Sequence, residues 1–196
     1  MKMNAVLRRR SIRKYTDEQV SDEQLREILK AGMAAPSCKA SCEWIFIIMR
    51  NREDFDAIME NHGYAHALKT ASAAVLVCAD LDRELEPGEG WWIQDCSAAV
   101  ENMLIQATDM GIGSLWLGIH PRKNRIEFMK ELCRLPEHVE PLALVALGIP
   151  QREKEPADRF LEDQVFDGRF GIPWGSGEQY LSAGFLKQKV LFVFNS

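Results

Sequence analysis

Apolar positions recur along the chain with two different periods. From Ser21 the sequence Ser-Asp-Glu-Gln forms a capping box, in which the serine hydroxyl and the glutamine side chain satisfy each other's backbone amides. Leu25, Ile28, Leu29 and Gly32 or Met33 follow at helical spacing, which predicts a helix over Asp22–Gly32. Trp44–Met49, Ala74–Cys78 and Leu142–Leu147 are short apolar runs bounded by polar residues and read as buried strands. Between them a long helix is predicted over Trp92–Met110. Its face carries Cys96, Ala99, Val100, Met103, Ala107 and Met110, and Gly111 is placed to end it. The small residues on that face predict a close-packed core position. Gly113–Gly118 reads as a strand running into a turn, and Ile126–Cys133 as a short helix closed by Pro136. Helices and strands alternate without internal repeats, which places the chain in the mixed α and β class.

The pattern changes past Gln151. Arg152–Glu155 is charged and interrupted by Pro156, and Gly168–Gly177 is rich in glycine around Trp174, so an extended arm is expected there rather than a second domain. Val190–Phe194 is apolar again and needs a surface to cover it.

Composition narrows the class. With 196 residues, 46% hydrophobic and 27% charged, the chain can bury one substantial core. No apolar run approaches the roughly 18 residues a membrane span needs, and the N-terminus lacks a secretory h-region, so a cytoplasmic protein without a membrane role is expected. Cysteines 38, 42, 78, 96 and 133 form no CxxC pair and are odd in number, which fits reduced thiols. The net charge of -5 argues against a nucleic-acid partner.

Against that acidic total, Val6–Gln19 gathers Arg8, Arg9, Arg10, Arg13 and Lys14 around Ser11. In an extended chain Arg9, Ser11 and Arg13 project from one face, so that two guanidiniums and a hydroxyl converge as phosphate recognition requires. A solvated basic arm, or a kinase-type RRxS site, accounts for the same residues.

The order RRSIRKY, a capped helix, Ala34-Ala-Pro-Ser37 before a Trp-led strand, then GIGSLWLG and ALGIP resembles the nitroreductase family of FMN-dependent oxidoreductases from Val6 to about Phe170. The resemblance implies an α+β, three-layer fold, a central mostly antiparallel sheet flanked by helices, in an intertwined homodimer. It implies a domain over 1–170 and a C-terminal extension over 171–196, with Phe166, Phe170 and Trp174 as anchors on the partner subunit. Carried over, Arg9 pairs the FMN phosphate, Ser11 the phosphate or ribityl oxygens, and Arg13 the N1 and O2 edge of the ring; Arg10 contributes mainly backbone. A fixed cation at that edge favours the reduced ring, which carries negative charge there. Pro36, Ser37 and Cys38 would reach the flavin of the other subunit. Leu117, Gly118 and Ile119 would pass over the ring, with an amide near Gly118 or Ile119 donating to N5. Arg159 would be the second phosphate ligand.

The chain departs from the family's PSxxNxQPW, since Ala40, Cys42 and Glu43 stand where Asn, Gln and Pro are usual. The implied activity is ping-pong hydride transfer from NAD(P)H through FMN to a small electrophile such as a nitroaromatic or quinone. No protein side chain is expected to act as the catalytic group. The lost Asn and Gln motivate an alternative, a non-catalytic binding protein for flavin or another phosphate-bearing ligand. No clustered metal ligands are visible, so no metal is expected. His62 and His66, spaced i, i+4, read as a solvated helix face. Cys38 and Cys42 lack redox spacing, Asp95 and Glu101 are too separate to form an acid-base couple, and Asn102 is expected near the dimer core.

Overall fold

The computed structural model describes residues 4–85 and 88–175. The chain divides into two compact units, Met1–Ala157 and Asp158–Ser196. In the first, four strands, β1 (Trp44–Met49), β2 (Ala73–Asp80), β3 (Gly113–Gly118) and β4 (Val139–Gly148), form an antiparallel sheet in the order β1-β2-β4-β3. The helices are α1 (Ala5–Arg8), α2 (Asp22–Met33), α3 (Arg52–Asn61), α4 (Trp91–Asp109) and α5 (Lys123–Leu132).

The continuous apolar runs of β2 and β4 follow from burial on both faces. Ala73, Val75, Val77 and Ala79 of β2 pack with Leu25 and Ile28 of α2 and with Cys96, Ala99, Val100 and Met103 of α4. The alternate residues Ala74, Leu76 and Cys78 pack with Phe55 and Ile58 of α3 and Met129 of α5. Two opposite-facing apolar sets on one strand require a cover on each side, and the result is three layers. The capping box at Ser21 is present, with Gln24 N–H donating to Ser21 Oγ at 3.2 Å and Ser21 N–H to Gln24 Oε1 at 2.8 Å. Helix α3, which the apolar pattern alone does not announce, starts on Asn51, whose side chain accepts from Glu53 N–H at 3.0 Å.

All five cysteines are free thiols. Among the described residues no helix is long and apolar enough to cross a membrane.

In the second unit, Asp158–Gly175 folds back on itself rather than running as an extended arm. Trp174 N–H donates to Val165 O at 3.0 Å and Asp167 N–H to Ile172 O at 2.8 Å. The rings of Phe166 and Phe170 lie 4.8 Å apart, and those of Phe160 and Trp174 lie 6.3 Å apart. Phe166 and Trp174 thus satisfy aromatic partners within the unit, while Phe170 stays 92% exposed. Val190–Phe194 and the rest of the expected extension past Gly175 lie outside the described residues.

Candidate functional site

The arginine segment is fixed by its neighbours in sequence that point inward. Helix α1, capped by Asn4, ends at Arg8, so the direction of Arg8 is set by the helix rather than by strand alternation. From Arg9 the chain is extended. Ile12 N–H donates to Ser114 O at 2.9 Å, Thr16 N–H to Ile149 O at 2.8 Å, and the Tyr15 hydroxyl to Ile12 O at 2.8 Å. Ile12 and Tyr15 enter the core directly over two glycines: a Cβ on Gly113 would lie 2.9 Å from Ile12, and one on Gly148 would lie 2.6 Å from Tyr15. Only bare backbone permits that approach. Burial of the Tyr15 phenol pushes its pKa up, so it stays a neutral donor. With Ile12 turned in, Arg13 is left exposed on the other side of the strand.

The cations are distributed between two anchor points. Arg9 Nε lies 3.3 Å from Glu101 Oε1 of α4, Arg8 pairs with Asp109 at 3.2 Å, and Arg10 donates to the carbonyl of Glu155. Lys154 Nζ donates to Ser11 O at 2.9 Å and so brings a further cation onto the predicted site. Partial burial, then Arg13, Arg10 and Arg152, hold the Lys154 pKa below the usual lysine value. Ile12, Arg13, Lys14, Arg152 and Lys154 line a cavity of about 140 Å³. Among the described residues none of these four cations has a carboxylate partner, which suits the cavity to an anion. The sequence reading missed Lys154 and Arg152 by treating the charged stretch after Ile149 as part of an arm. Tyr15 pairs with Pro150 and Gln151 N–H donates to Lys14 O at 3.1 Å, so the stretch is bound to the arginine segment instead.

Strand β3 lies at the edge of the sheet, and Ser11 bridges it at Ser114. Because Ser114 presents its carbonyl to that outer edge, alternation turns the polar groups of Trp116 and Gly118 the same way. Ile119 N–H is already used, donating to Leu142 O at 3.1 Å, and the Leu117 side chain is buried in the core. Of the three predicted residues Gly118 alone keeps an outward amide. A Cβ on Gly118 would meet nothing within 4 Å, so the glycine leaves open space beside the edge.

The Gly118 carbonyl accepts from Arg125 Nη1 at 2.8 Å and from His62 Nε2 at 3.1 Å. His62 therefore does not lie on a solvated helix face. It caps the C-terminus of α3, is 4% exposed, and accepts Tyr64 N–H on Nδ1 at 3.2 Å, which assigns the proton to Nε2. His66 opens a separate 3-10 turn. The Asn61-His62-Gly63 sequence was the available sign that the helix stops. Burial, then the charge of Arg125, lowers the His62 pKa.

The Pro36–Glu43 loop joins α2 to β1. Pro36 is exposed, while the Ser37 hydroxyl turns inward to accept Cys42 N–H at 3.0 Å. Cys38 N–H donates to Asp95 Oδ2 of α4 at 2.7 Å. Lys39, Ala40 and Cys42 have left-handed φ of 51°, 58° and 49°, each costing about 1–3 kcal/mol that the surroundings must offset. Glu43 is 0% exposed and Asp95 7% exposed, and their carboxyls are in hydrogen-bonding contact. Asp95, too separate from Glu101 to form an acid-base couple, has Glu43 as its carboxylate partner instead. The loop attaches to α4 at Asp95 and Arg9 at Glu101, roughly 9 Å further along the helix axis. Asn102 donates to Ala31 O of α2 at 3.2 Å.

Arg159 is exposed in the second unit. Ligand atoms of Asp80, Asp82 and His138 lie within 4.8 Å of one another, a grouping invisible along the chain. The imidazole nitrogens lie 3.9 Å from Asp80 Oδ1 and 3.8 Å from Asp82 Oδ2.

Comparison with known proteins fits this geometry. The Nitroreductase family profile matches residues 6–62 and 52–149. An Archaeoglobus fulgidus protein with a provisional NADH dehydrogenase/NAD(P)H nitroreductase name is 43% identical over 166 residues, covering 83% of this chain and 95% of its own. The Bacillus subtilis FMN reductase [NAD(P)H] is 31% identical, covering 83% of this chain and 73% of its own. A provisionally named nitroreductase from Desulfovibrio desulfuricans, solved in complex with FMN, superposes with a TM-score of 0.73 at 31% identity, covering 85% of this chain and 95% of its own. The chain belongs to the nitroreductase family.

Proposed function

We propose that the protein is an FMN-dependent oxidoreductase that passes a hydride from NAD(P)H to a small electrophilic acceptor such as a nitroaromatic or quinone. The observation that carries this reading is the edge at Gly118, where alternation leaves the amide outward and a Cβ would meet nothing within 4 Å. Family membership and the FMN-bound relative support the choice of ligand. When bound, FMN supplies the hydride-accepting ring atom, and the protein supplies no acid or base for that step. Arg9, Ser11 and Lys154 hold the phosphate end. Arg13 fixes positive charge at the N1 and O2 edge, and the Gly118 amide orients the ring. Pro36, Ser37 and Cys38 serve the site of the partner in a homodimer, a role that family membership supports. One open pocket then admits donor and acceptor in turn, a ping-pong cycle.

Anaerobic titration of the yellow protein with NADH or NADPH tests this: bleaching, reversed by an added quinone, is expected. Colour that persists under excess reductant would instead favour the non-catalytic binding protein that Ala40 and Cys42 motivate. Light scattering should give a dimer at micromolar concentration, and a flavin-loaded monomer would refute the shared site.

A further inference from the structure

We propose that Glu43 and Asp95 act as positioning residues, sharing one retained proton that locks the Pro36–Glu43 loop onto α4. The need for a proton comes from geometry. Glu43 is wholly buried, and its Oε2 accepts the Ser41 hydroxyl proton, but among the described residues Oε1 has no donor. Asp95 in contact with it uses Oδ2 to accept Cys38 N–H. Two ionised carboxylates would leave Oε1 orphaned and set like charges against each other in a buried space. A proton between them removes both costs. The Asp95 pKa is correspondingly raised, by burial first and then by Glu43 and Glu84.

Among the described residues the neighbouring charged groups offer little alternative compensation. Glu84 adds another acid, 9% exposed, whose Oε1 also lacks a donor among the described residues and whose Oε2 accepts Gly88 N–H at 3.3 Å. Arg83 reaches the Ser41 carbonyl at 3.4 Å rather than either acid of the pair. The Cys96 thiol is pushed up by burial and by the same acids, so it stays neutral. Asp80 faces Asp82 N–H and His138, and His120 packs on Trp92, one turn before Asp95 on α4.

The pair is tied to both ends of the strained segment, Asp95 through Cys38 and Glu43 through Ser41. The sign is fixed by linkage: a carboxyl whose pKa is raised in the closed loop stabilises closure at low pH. Closure weakens as pH rises from the ordinary carboxyl value of 3.8 through the raised one, as the proton leaves to water. In that window opening should increase about tenfold per pH unit, because one proton is lost on opening.

Hydrogen exchange of the Ala40, Ser41 and Cys42 amides in the full-length protein, with and without added FMN, tests the lock. After the intrinsic base catalysis of exchange is subtracted, wild-type protection should fall about tenfold per pH unit across the window. Glu43→Gln, whose amide donates to Asp95 at every pH, should flatten the profile, and so should Asp95→Asn, which keeps the acceptor for Cys38. A pH-independent wild-type profile, or variants that retain the slope, overturns the proposal. The wild-type profile decides alone if either variant does not fold. Any consequence for flavin rests on the functional reading above: an exchange profile as expected with FMN affinity flat in pH would keep the lock and reject only the loop's contact with the cofactor.

Discussion

Gly118→Ala separates a site residue from a folding residue. The added Cβ meets nothing within 4 Å, and the backbone φ lies outside the left-handed region, so the change should alter stability by no more than about 0.5 kcal/mol. A flavin ring in van der Waals contact with the bare edge would instead have to retreat by on the order of 1.5 Å, the length of a carbon–carbon bond. An amide hydrogen bond near 2.9 Å is then stretched past the roughly 3.5 Å at which it no longer counts as one. Losing it costs about 1–3 kcal/mol, so the dissociation constant for FMN should rise roughly 5-fold to 150-fold. Flavin fluorescence quenching measures the affinity, and a melting curve on the apoprotein measures the stability. Gly148→Ala is the converse control. Its Cβ would lie 2.6 Å from the Tyr15 ring, an overpacking that costs about 1–3 kcal/mol, or roughly 2–4 °C of melting temperature per kcal/mol. Unchanged FMN affinity in a well-folded Gly118→Ala protein would refute the passage of the ring over this edge.

Arg9→Ala should weaken FMN binding on the order of 30-fold to 1,000-fold by leaving the phosphate short of a partner, while Arg8→Ala, which loses a pair to an exposed Asp109, should be nearly silent; equal effects would favour a solvated arm. Lys154→Ala should also weaken FMN and reduce the salt dependence of its affinity, since one cation leaves the anion cavity, and an unaltered salt dependence would remove Lys154 from the phosphate site. For His62 the lowered pKa means that the folded protein resists protonation: stability is full above 6.5 and falls as pH drops through the lower folded value. His62→Gln, which can still donate to the Gly118 carbonyl, should flatten melting temperature against pH on the acid side, and a parallel fall in both proteins would show that His62 is not the titrating group.

Much of the architecture is written in local pattern. The predicted strand Trp44–Met49 and strand Gly113–Gly118 coincide with β1 and β3, and the capped helix at Asp22 and the long helix near Trp92 form where the apolar period places them. These elements are legible because a side chain's inward or outward direction follows from the period of its own backbone. The same rule exposes Arg13 once Ile12 turns inward. Contacts between distant segments have no such trace. Lys154 reaches Ser11 across 143 residues, His62 reaches Gly118 across 56, and Cys38 reaches Asp95 across 57. A cation, an imidazole and a carboxylate that look solvated or isolated along the chain become neighbours only when the sheet closes between its helices. The Glu43 and Asp95 carboxyls show the physical reason most directly: burial and proximity, which set whether an acid holds its proton, are properties of the packed core and not of any residue alone.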